Sequence, residues 1–446
     1  MNHMDRTLTA ASTQSDATAD TSRTLLERHS SVMPEWLTHY YEDPIELMEG
    51  SGRRVLASDG REYLDCFGGL LATMVGHDIP EITEAIRRQS KKILHSSTLY
   101  LLSGQVRLAE RIAGASRMKD PRVFFVNSGS EAVETALLLT TGRAASNQVL
   151  ALRGSYHGRS FATVGATGIR SWSATGLSPL QVSYLHSGYR YRSPFRGLDD
   201  NDFTTACIEE MRTIIETSTS GRIASMIAEP IQGAGGFAEP PQGFFQRTKE
   251  VLDEYGIPLI SDEVQTAWGR TGKAVFGMHA HGVNPEVMTL AKGIANGLPI
   301  GAVVAEADIM HSVPANSIST AGGNPIVMAA ANATIDYIEN NDLISRADHV
   351  GDTLMAGLRR IAINTPIIGE VRGSGLMIGV ELVEPGSTKP MPQLAIAAIE
   401  RARQLGLLIG RGGLYGNVLR VTPPMTITDD EAQQALELLA ETLNGL

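Results

Sequence analysis

The sequence alternates short apolar runs with segments of helical periodicity, and this alternation restricts the possible folds more than any other feature. Four apolar runs are each followed directly by a polar or charged side chain: Val123–Val126, Val149–Leu152, Ile223–Ala228 and Ile257–Ile260. A fifth run, Val287–Ala291, leads into a lysine. Strands that alternate with helices, without an internal repeat, form a mostly parallel sheet with helices on both faces. We therefore predict an α/β protein whose functional groups lie where the strands end.

Chain length sets the expected number of domains. At 446 residues, the chain is long enough for one large domain and a smaller one. Residues 1–32 are rich in Ser, Thr, Ala and Asp and are predicted to be a flexible tail. We predict a large domain at 81–342. Composition changes after it, so residues 343–446 are predicted to form a separate α+β domain.

Charge and composition exclude several classes of partner. The net charge is −11, from 49 acidic and 38 basic residues, and the basic residues form no block. This argues against nucleic acid and anionic membrane surfaces. No apolar run reaches the roughly 18 residues that a membrane span requires. The two cysteines are Cys66 and Cys207, and no Cys/His cluster has metal-site spacing, so we predict no metal and a reducing, cytoplasmic location.

The first chemical motif joins a predicted strand to a predicted helix. Ser128, Gly129 and Ser130 follow an apolar run and precede a helix-forming segment. Free backbone N–H groups at such a helix start bind phosphate. The alternative is an ordinary helix start capped by Ser130. The absence of Gly-x-Gly-x-x-Gly and Gly-Lys-Ser/Thr argues against a dinucleotide or a nucleoside triphosphate.

Three strand ends carry side chains suited to a flat, charged ligand. Tyr156 could lie against a planar ring, and Arg159 could pair with a carboxylate. Glu229 ends the third strand. Asp262 closes the fourth, where a carboxylate is costly unless a cation or a strong donor pairs with it. The alternatives are a tyrosine that packs in its loop, a surface arginine and an aspartate in a salt bridge.

Lys292 brings an amine to the same predicted edge of the sheet. Alone it would be interpreted as a solvated charge at the rim. Together, a phosphate site, an aromatic face, a strand-end carboxylate and an amine fit a planar, phosphorylated, cationic heteroaromatic aldehyde that is bound covalently. Pyridoxal 5′-phosphate (PLP) has this chemistry.

The chain resembles the class III (ω-amino acid) aminotransferases, which are PLP enzymes of fold type I. The resemblance runs from about Glu46 to the C-terminus and rests on the linked motifs Ser261–Thr266, Gly269–Gly272 and Leu290–Gly293. The ending Leu408–Gly413 is similar to the alanine–glyoxylate/β-alanine type. The resemblance implies a large domain with a mostly parallel sheet and a smaller α+β domain built from both ends of the chain, residues 33–80 and 343–446.

The same resemblance implies a role for each residue around the cofactor ring. Lys292 would form a Schiff base with PLP and move the proton between substrate and cofactor. Asp262 would bind the pyridine nitrogen and keep it protonated. Val264 would pack under the ring, Gln265 would reach its phenolic oxygen, and Tyr156 would stack on the other face.

The resemblance also assigns the phosphate and the subunit interface. Gly129 and Ser130 would hold the phosphate. Thr320 would reach the phosphate of the neighbouring subunit, which implies a homodimer with active sites at the interface. His157 is predicted to pack or hydrogen-bond beside the cofactor rather than to transfer a proton.

The resemblance also implies that four residues contact the substrate. Arg420 resembles the arginine that receives a substrate α-carboxylate and pairs with Glu229 when the other substrate has none. Arg159 matches an arginine that clamps a carboxylate in γ-aminobutyrate and ornithine aminotransferases. Leu70 replaces an aromatic residue that shapes the substrate pocket in some relatives.

The function implied is a ping-pong aminotransferase that moves an amino group from an amino acid or ω-amino compound to a 2-oxo acid such as 2-oxoglutarate, pyruvate or glyoxylate. An aminomutase or racemase of the same family is the alternative. A non-catalytic relative would be expected to lack Lys292 or Asp262, and both are present. An oxidoreductase and a serine hydrolase are disfavoured because their nucleotide and Gly-x-Ser-x-Gly motifs are absent.

Overall fold

The computed structural model describes residues 24–446, so residues 1–23 of the predicted tail lie outside the described residues. Residues 24–45 belong to a unit of their own. In it, helix α1, Leu25–Val32, begins at a capping box in which Thr24 and Glu27 bond to each other's backbone N–H groups. The sequence analysis did not predict this helix, because eight residues are too few for a clear periodicity. Residues 46–446 form the second unit, and the domain boundaries predicted within it stay predictions.

Within the described residues, the second unit contains fifteen strands in three sheets. In chain order the strands are β1 Leu47–Ser51, β2 Arg54–Ala57, β3 Glu62–Asp65, β4 Pro121–Val126, β5 Gln148–Leu152, β6 Gln181–Leu185, β7 Ile223–Ala228, β8 Leu259–Asp262, β9 Val287–Ala291, β10 Gly301–Glu306, β11 Ile368–Ser374, β12 Met377–Leu382, β13 Leu407–Leu408, β14 Gly410–Gly412 and β15 Val418–Val421.

The helices connect and cover these strands. They are α2 Gly68–Leu71, α3 Pro80–Ser90, α4 Ser103–Ser116, α5 Gly129–Ala144, α6 Thr163–Ala166, α7 Asp200–Thr217, α8 Phe244–Glu254, α9 Gly277–Ala280, α10 Ala307–Met310, α11 Pro325–Asn340, α12 Leu343–Ile363, α13 Pro392–Gln404 and α14 Asp429–Asn444. Over residues 24–446, none of the helices combines the length and the apolar character needed to cross a bilayer.

The large sheet has seven strands in the order β4-β10-β9-β8-β7-β5-β6. The five strands from β9 to β6 are parallel, whereas β10 is antiparallel to both β9 and β4. The prediction of a mostly parallel sheet is confirmed, but neither β6 nor β10 was predicted. The link from β9 to β10 is too short for a helical crossover, which explains the reversed direction of β10.

Helices cover both faces of this sheet, as predicted. Alternate residues of a strand point to opposite faces. In β5, Leu150 packs in an apolar cluster with Phe203 of α7, whereas its neighbour Val149 packs in a second cluster with Ala136 of α5. The two clusters hold the strands in fixed register, and this fixes where each strand ends.

Two four-stranded sheets complete the unit. In one, β1, β2 and β3 are antiparallel, and β13 adds in parallel to β3 with Leu407 opposite Leu64. This sheet joins strands from both ends of the chain, as expected for the smaller domain. The other sheet, β11-β12-β15-β14, is antiparallel throughout. Ser374 and Gly375 lie at the turn of its first hairpin.

Candidate active site

The segments that follow the parallel strands meet at one edge of the large sheet, where a cavity of about 320 Å³ opens. Nine residues predicted from the sequence border it: Gly129, Ser130, Tyr156, His157, Glu229, Asp262, Val264, Gln265 and Lys292. The strand-end residues are therefore brought together as expected from parallel strands of common direction.

Asp262 is a buried carboxylate fixed by hydrogen-bond donors from three neighbours. Its Oδ2 accepts a hydrogen bond from His157 Nδ1 at 2.7 Å. Its Oδ1 accepts from the backbone N–H of Val264 at 3.2 Å and from Thr289 Oγ1 at 3.3 Å. His157 is itself buried, and its Nε2 has no hydrogen-bond partner among residues 24–446. The carboxylate is therefore held in one orientation by His157 among others, and the predicted role of His157 beside the cofactor stays a prediction.

Lys292 occupies the first position after β9 in a backbone conformation that is unusual for a side chain of its size. Its φ is +50°, in the left-handed region. Burial lowers the pKa of Lys292 to about 8, although the negative charge of Asp262 acts in the opposite direction. The uncharged form that a nucleophilic amine requires is thus more populated near neutral pH than in an exposed lysine.

The start of helix α5 faces the cavity with its backbone donors. Ser128 caps the helix, because its Oγ accepts from Glu131 N at 3.2 Å. The alternative in which Ser130 is the cap is therefore wrong, and the Ser130 hydroxyl accepts from the backbone N–H of Arg159 at 3.2 Å. A Cβ on Gly129 would lie 3.1 Å from a methyl group of Val264. Because Gly129 has no side chain, an anion can approach the free backbone N–H groups of the first turn closely.

Glu229 lies at the end of β7 and is fully engaged by backbone donors. Its Oε1 accepts from Tyr156 N at 2.9 Å, and its Oε2 accepts from Gly233 N at 2.8 Å. Burial raises the pKa of Glu229 to about 7, and the nearby Asp262 adds to this effect. The residue thus titrates in the range where most enzymes work.

Arg420 in β15 is buried and reaches toward the cavity through Gln265. Its Nη2 donates to Gln265 Oε1 at 3.1 Å. The guanidinium lies 4.6 Å from the ring centroid of Phe237 and 5.7 Å from that of Phe67. Gln265 borders the cavity, so Arg420 is one residue removed from it.

Comparison with known proteins identifies the family. The family model Aminotransferase class-III matches residues 38–443. This chain belongs to the class III aminotransferases. It is 34% identical over 431 residues to the mitochondrial alanine–glyoxylate aminotransferase 2 homolog 2 of Arabidopsis thaliana, covering 96% of this chain and 89% of the relative. It is also 34% identical over 419 residues to the alanine/serine racemase of Pyrococcus horikoshii, covering 90% of this chain and 87% of the relative.

Solved structures support the same conclusion for the fold. An amine transaminase from an uncultivated Pseudomonas species, in its PLP-bound form, superposes with a TM-score of 0.86 at 31% identity, covering 93% of this chain and 98% of that one. The class III aminotransferases are PLP-dependent enzymes of fold type I. The assignments made from the sequence for family, fold class, enzyme class and cofactor are therefore confirmed.

The residues around the cavity fit PLP. An amine of lowered pKa suits its aldehyde, the fixed Asp262 carboxylate suits its ring nitrogen, and the start of α5 suits its phosphate. Gly158 has φ +127°, and a Cβ there would lie 2.7 Å from Ser130 Oγ. Glycine thus keeps the space beside the Ser130 hydroxyl open.

Four predicted site residues do not border the cavity of this class III chain. Arg420 reaches it only through Gln265. Arg159 and Thr320 are exposed, and Leu70 is 49% exposed with φ +65°. These positions leave their predicted contacts with substrate or with a neighbouring subunit as proposals.

Several residues at the site were missed by sequence reasoning. Pro299 and Ile300 border the cavity because β10 begins there and brings its preceding loop to the same edge. Trp172 packs edge-on against Tyr156, with ring centroids 5.5 Å apart. The unpredicted β10 explains the first group, and no sequence signal marked Trp172.

Proposed function

We propose that this class III aminotransferase transfers an amino group from an amino acid or ω-amino compound to a 2-oxo acid, with Lys292 and Asp262 as its catalytic residues. The observation that carries the proposal is the placement of the Lys292 amine, with its lowered pKa, in one cavity with the His157–Asp262 pair. An amine and a fixed carboxylate are the two groups that this chemistry requires at opposite ends of the cofactor.

Each residue bordering the cavity has a proposed task toward PLP. When bound, PLP holds the amino group covalently and stabilises the electron pair left at the substrate carbon. Asp262 would bind the ring nitrogen, and His157 would keep the carboxylate oriented through its 2.7 Å hydrogen bond. Val264 and Tyr156 would contact the two ring faces, and Gln265 the phenolic oxygen.

The phosphate would be held at the start of α5. Gly129 and Ser130 lie in the first turn of the helix, where backbone N–H groups have no intrahelical partner. The helix dipole adds to the attraction for an anion. The Ser130 hydroxyl would donate to the phosphate while accepting from Arg159 N.

Lys292 would act as nucleophile and then as the group that moves a proton at the substrate Cα. Both tasks need an amine that gains and loses a proton near neutral pH, and burial lowers the pKa of Lys292 to about 8. Burial also excludes water from the amine.

Two arginines would recognise substrate carboxylates. Arg420 would receive the α-carboxylate, with Glu229 pairing with it when the other substrate lacks one. Arg159, which is exposed beside Ser130, would clamp a second carboxylate of a longer substrate. The relative named for alanine and glyoxylate supports small amino and oxo acids as substrates.

We also propose a homodimer in the cytoplasm. Large apolar side chains are exposed together on one segment: Ile93, Leu94, Leu99, Tyr100 and Leu101. A contiguous set of this kind marks a protein interface. Thr320, exposed in this chain, would reach the phosphate of the second subunit. Cys66 and Cys207 are both free thiols, which suits a reducing compartment.

The absorption spectrum of the purified protein tests the function. Glutamate, alanine, β-alanine, γ-aminobutyrate, ornithine and a diamine would each be added without an acceptor. We expect some of them to convert the yellow PLP band to that of the pyridoxamine form, and a 2-oxo acid to restore it. A protein that takes up no PLP contradicts the proposal.

A racemase is the second candidate, because one relative of equal identity is named an alanine/serine racemase. A racemase returns the amino group to its own substrate, so no 2-oxo acid accumulates. Chiral analysis of L-alanine incubated with the PLP enzyme alone separates the two functions: D-alanine indicates racemisation, and pyruvate indicates transfer.

A further inference from the structure

Arg420 is oriented by aromatic rings as well as by Gln265. The ring of Phe237 lies at 4.6 Å from the guanidinium, nearer than that of Phe67, and Phe237 is fully buried. A guanidinium stacked on a ring face keeps its plane, and its donors then point in fixed directions. The position of Phe237 therefore determines where the donors of Arg420 point.

Phe237 closes a glycine-rich loop, Gln232–Phe237, that begins at the active site. Gly233 N donates to Glu229 Oε2 at 2.8 Å, and Phe237 N donates to Gln232 O at 2.9 Å. Gly236 adopts φ +90°, and a Cβ there would lie within 3.0 Å of both Val418 and Arg372. Because Gly233, Gly235 and Gly236 have no side chains, the backbone path of the loop depends on the groups that hydrogen-bond to it.

Arg372 of β11 is the side chain that holds this loop from the other side. Its Nε donates at 2.9 Å to the carbonyl of Gly236, which belongs to the peptide bond that leads into Phe237. Its Nη1 donates to Glu381 at 2.6 Å and to Glu370 at 2.7 Å. Its guanidinium also stacks on the ring of Tyr189 at 4.5 Å. Arg372 is thus itself fixed within a buried cluster.

We infer that Arg372 and Phe237 are positioning residues for Arg420 and thereby set the affinity of the enzyme for substrates that carry an α-carboxylate. Arg372 fixes the Gly236–Phe237 peptide, and the ring of Phe237 fixes the guanidinium of Arg420. The inference rests on the proposed role of Arg420 in carboxylate binding. It predicts that disturbing either residue weakens the binding of carboxylates selectively.

Two substitutions test the inference without removing a buried charge. Phe237→Leu keeps an apolar side chain but removes the ring face under Arg420. Arg372→Lys keeps the positive charge beside Glu370 and Glu381, but its one nitrogen cannot occupy both the Nε position that reaches Gly236 O and the Nη1 position that reaches the carboxylates. Arg192→Lys is the matched control, because Arg192 Nε donates to Glu381 at 2.6 Å in the same cluster and its other hydrogen bond goes to Thr388 O.

The readouts separate carboxylate binding from folding. The Kd of propionate, which cannot react, is measured through its effect on the PLP absorption band. KM is measured for alanine and for isopropylamine, which has a methyl group in place of the carboxylate. We expect Phe237→Leu and Arg372→Lys to raise the Kd of propionate and the KM of alanine about tenfold, and to leave isopropylamine within about twofold. The double variant should be no worse than the weaker-binding single variant, because both act through one path.

Three other results would contradict the inference. An unchanged Kd of propionate in Phe237→Leu overturns the inference, and so does an effect of Arg192→Lys as large as that of Arg372→Lys. Equal losses for alanine and isopropylamine would show a general structural role instead. Failure of the proposed function looks different, since the wild-type enzyme itself would then convert no amine.

Discussion

At the scale of single residues, the site depends on a carboxylate and an amine that are both buried. A buried carboxylate is costly unless donors reach it, and Asp262 accepts from His157, Thr289 and the backbone. In the part of the chain that the structure describes, Lys292 has no comparable set of acceptors, and burial lowers its pKa. Hydrogen bonds thus offset the cost of burying Asp262, whereas the burial of Lys292 lowers its pKa.

The substitution His157→Phe tests the support of Asp262. It keeps a ring of similar shape but removes the donor at 2.7 Å from Oδ2. A hydrogen bond to a charged group is worth about 1.5–3 kcal/mol, so kcat should fall about 10- to 100-fold. Stopped-flow spectroscopy of the first half-reaction measures this. The control Thr289→Val removes a longer bond of 3.3 Å and should cost less; an equal loss would contradict the assignment.

Lys292 should make the stability of the PLP-free protein depend on pH. Its pKa falls from 10.5 to about 8 on folding, so the unfolded chain binds more protons between these values and stability rises with pH across this window. Lys292→Met removes the effect. The variant should be more stable than wild type at pH 7, by on the order of 3 kcal/mol, and the difference should vanish toward pH 10.5.

Urea unfolding of both PLP-free proteins at pH 7 and pH 9 provides the measurement. Lys389→Met serves as the control, because Lys389 is largely exposed and should show no such difference. If the difference in unfolding free energy between Lys292→Met and wild type is the same at pH 7 and pH 9, folding does not lower the pKa of Lys292.

The sequence revealed those residues whose chemistry depends on where a strand ends. Lys292, Asp262, Glu229 and Tyr156 each follow an apolar run, and parallel strands bring such ends together. Phe237 could not be found in this way, because a buried phenylalanine under an arginine looks like any core residue in one dimension. The predicted contacts of Thr320 and Leu70 lie outside the cavity of a single chain.

At the scale of elements, helix α5 provides the clearest test. A Cβ on Gly129 would lie 3.1 and 3.2 Å from the two γ-methyl groups of Val264, which borders the cavity. Gly129→Ala should therefore push Val264 into the space for the cofactor ring and raise the Kd for PLP. Fluorescence titration of the PLP-free protein measures this affinity.

Gly142→Ala in the same helix is the matched control. Gly142 is exposed, and a Cβ there meets nothing within 4 Å. Alanine should stabilise the helix by about 0.5–1 kcal/mol and leave PLP affinity unchanged. Equal PLP affinity in the two variants would contradict the close packing described for Gly129.

Helices and strands could be predicted where the apolar periodicity extended over many residues and where the length of the connecting segment determined the direction of the strand. The long helices and the parallel strands meet both conditions. The strand β10 meets neither, because it follows Lys292 after a loop with Gly297 and Pro299 that resembles an ordinary turn. This strand also brings Pro299 and Ile300 to the cavity, so one missed element accounts for two missed site residues.

At the scale of the whole molecule, the exposed apolar segment predicts association. Leu101 is 97% exposed and lies beside the similarly exposed Leu99 and Tyr100. Leu101→Asp should convert the proposed dimer to a monomer and weaken PLP retention, because a charge cannot be buried unpaired at an interface. Analytical ultracentrifugation measures the first effect and absorbance the second.

Ile363→Asp is the control for this prediction. Ile363 is 80% exposed at the end of α12, where it stands alone. Its substitution should leave the mass in solution unchanged. A wild-type protein that sediments as a monomer would reject the dimer and with it the proposed reach of Thr320.

The sheet that joins β3 to β13 has a consequence for synthesis of the protein. Leu64 pairs with Leu407, so 407 − 64 = 343 residues separate the partners. At about 5–20 residues per second, a ribosome needs roughly 20 to 70 s to make the intervening chain. During that time one edge of β3 has no neighbour, and an open edge is a template for pairing with other nascent chains. Yield in the cell should therefore depend on chaperones that shield the first hairpin while translation continues.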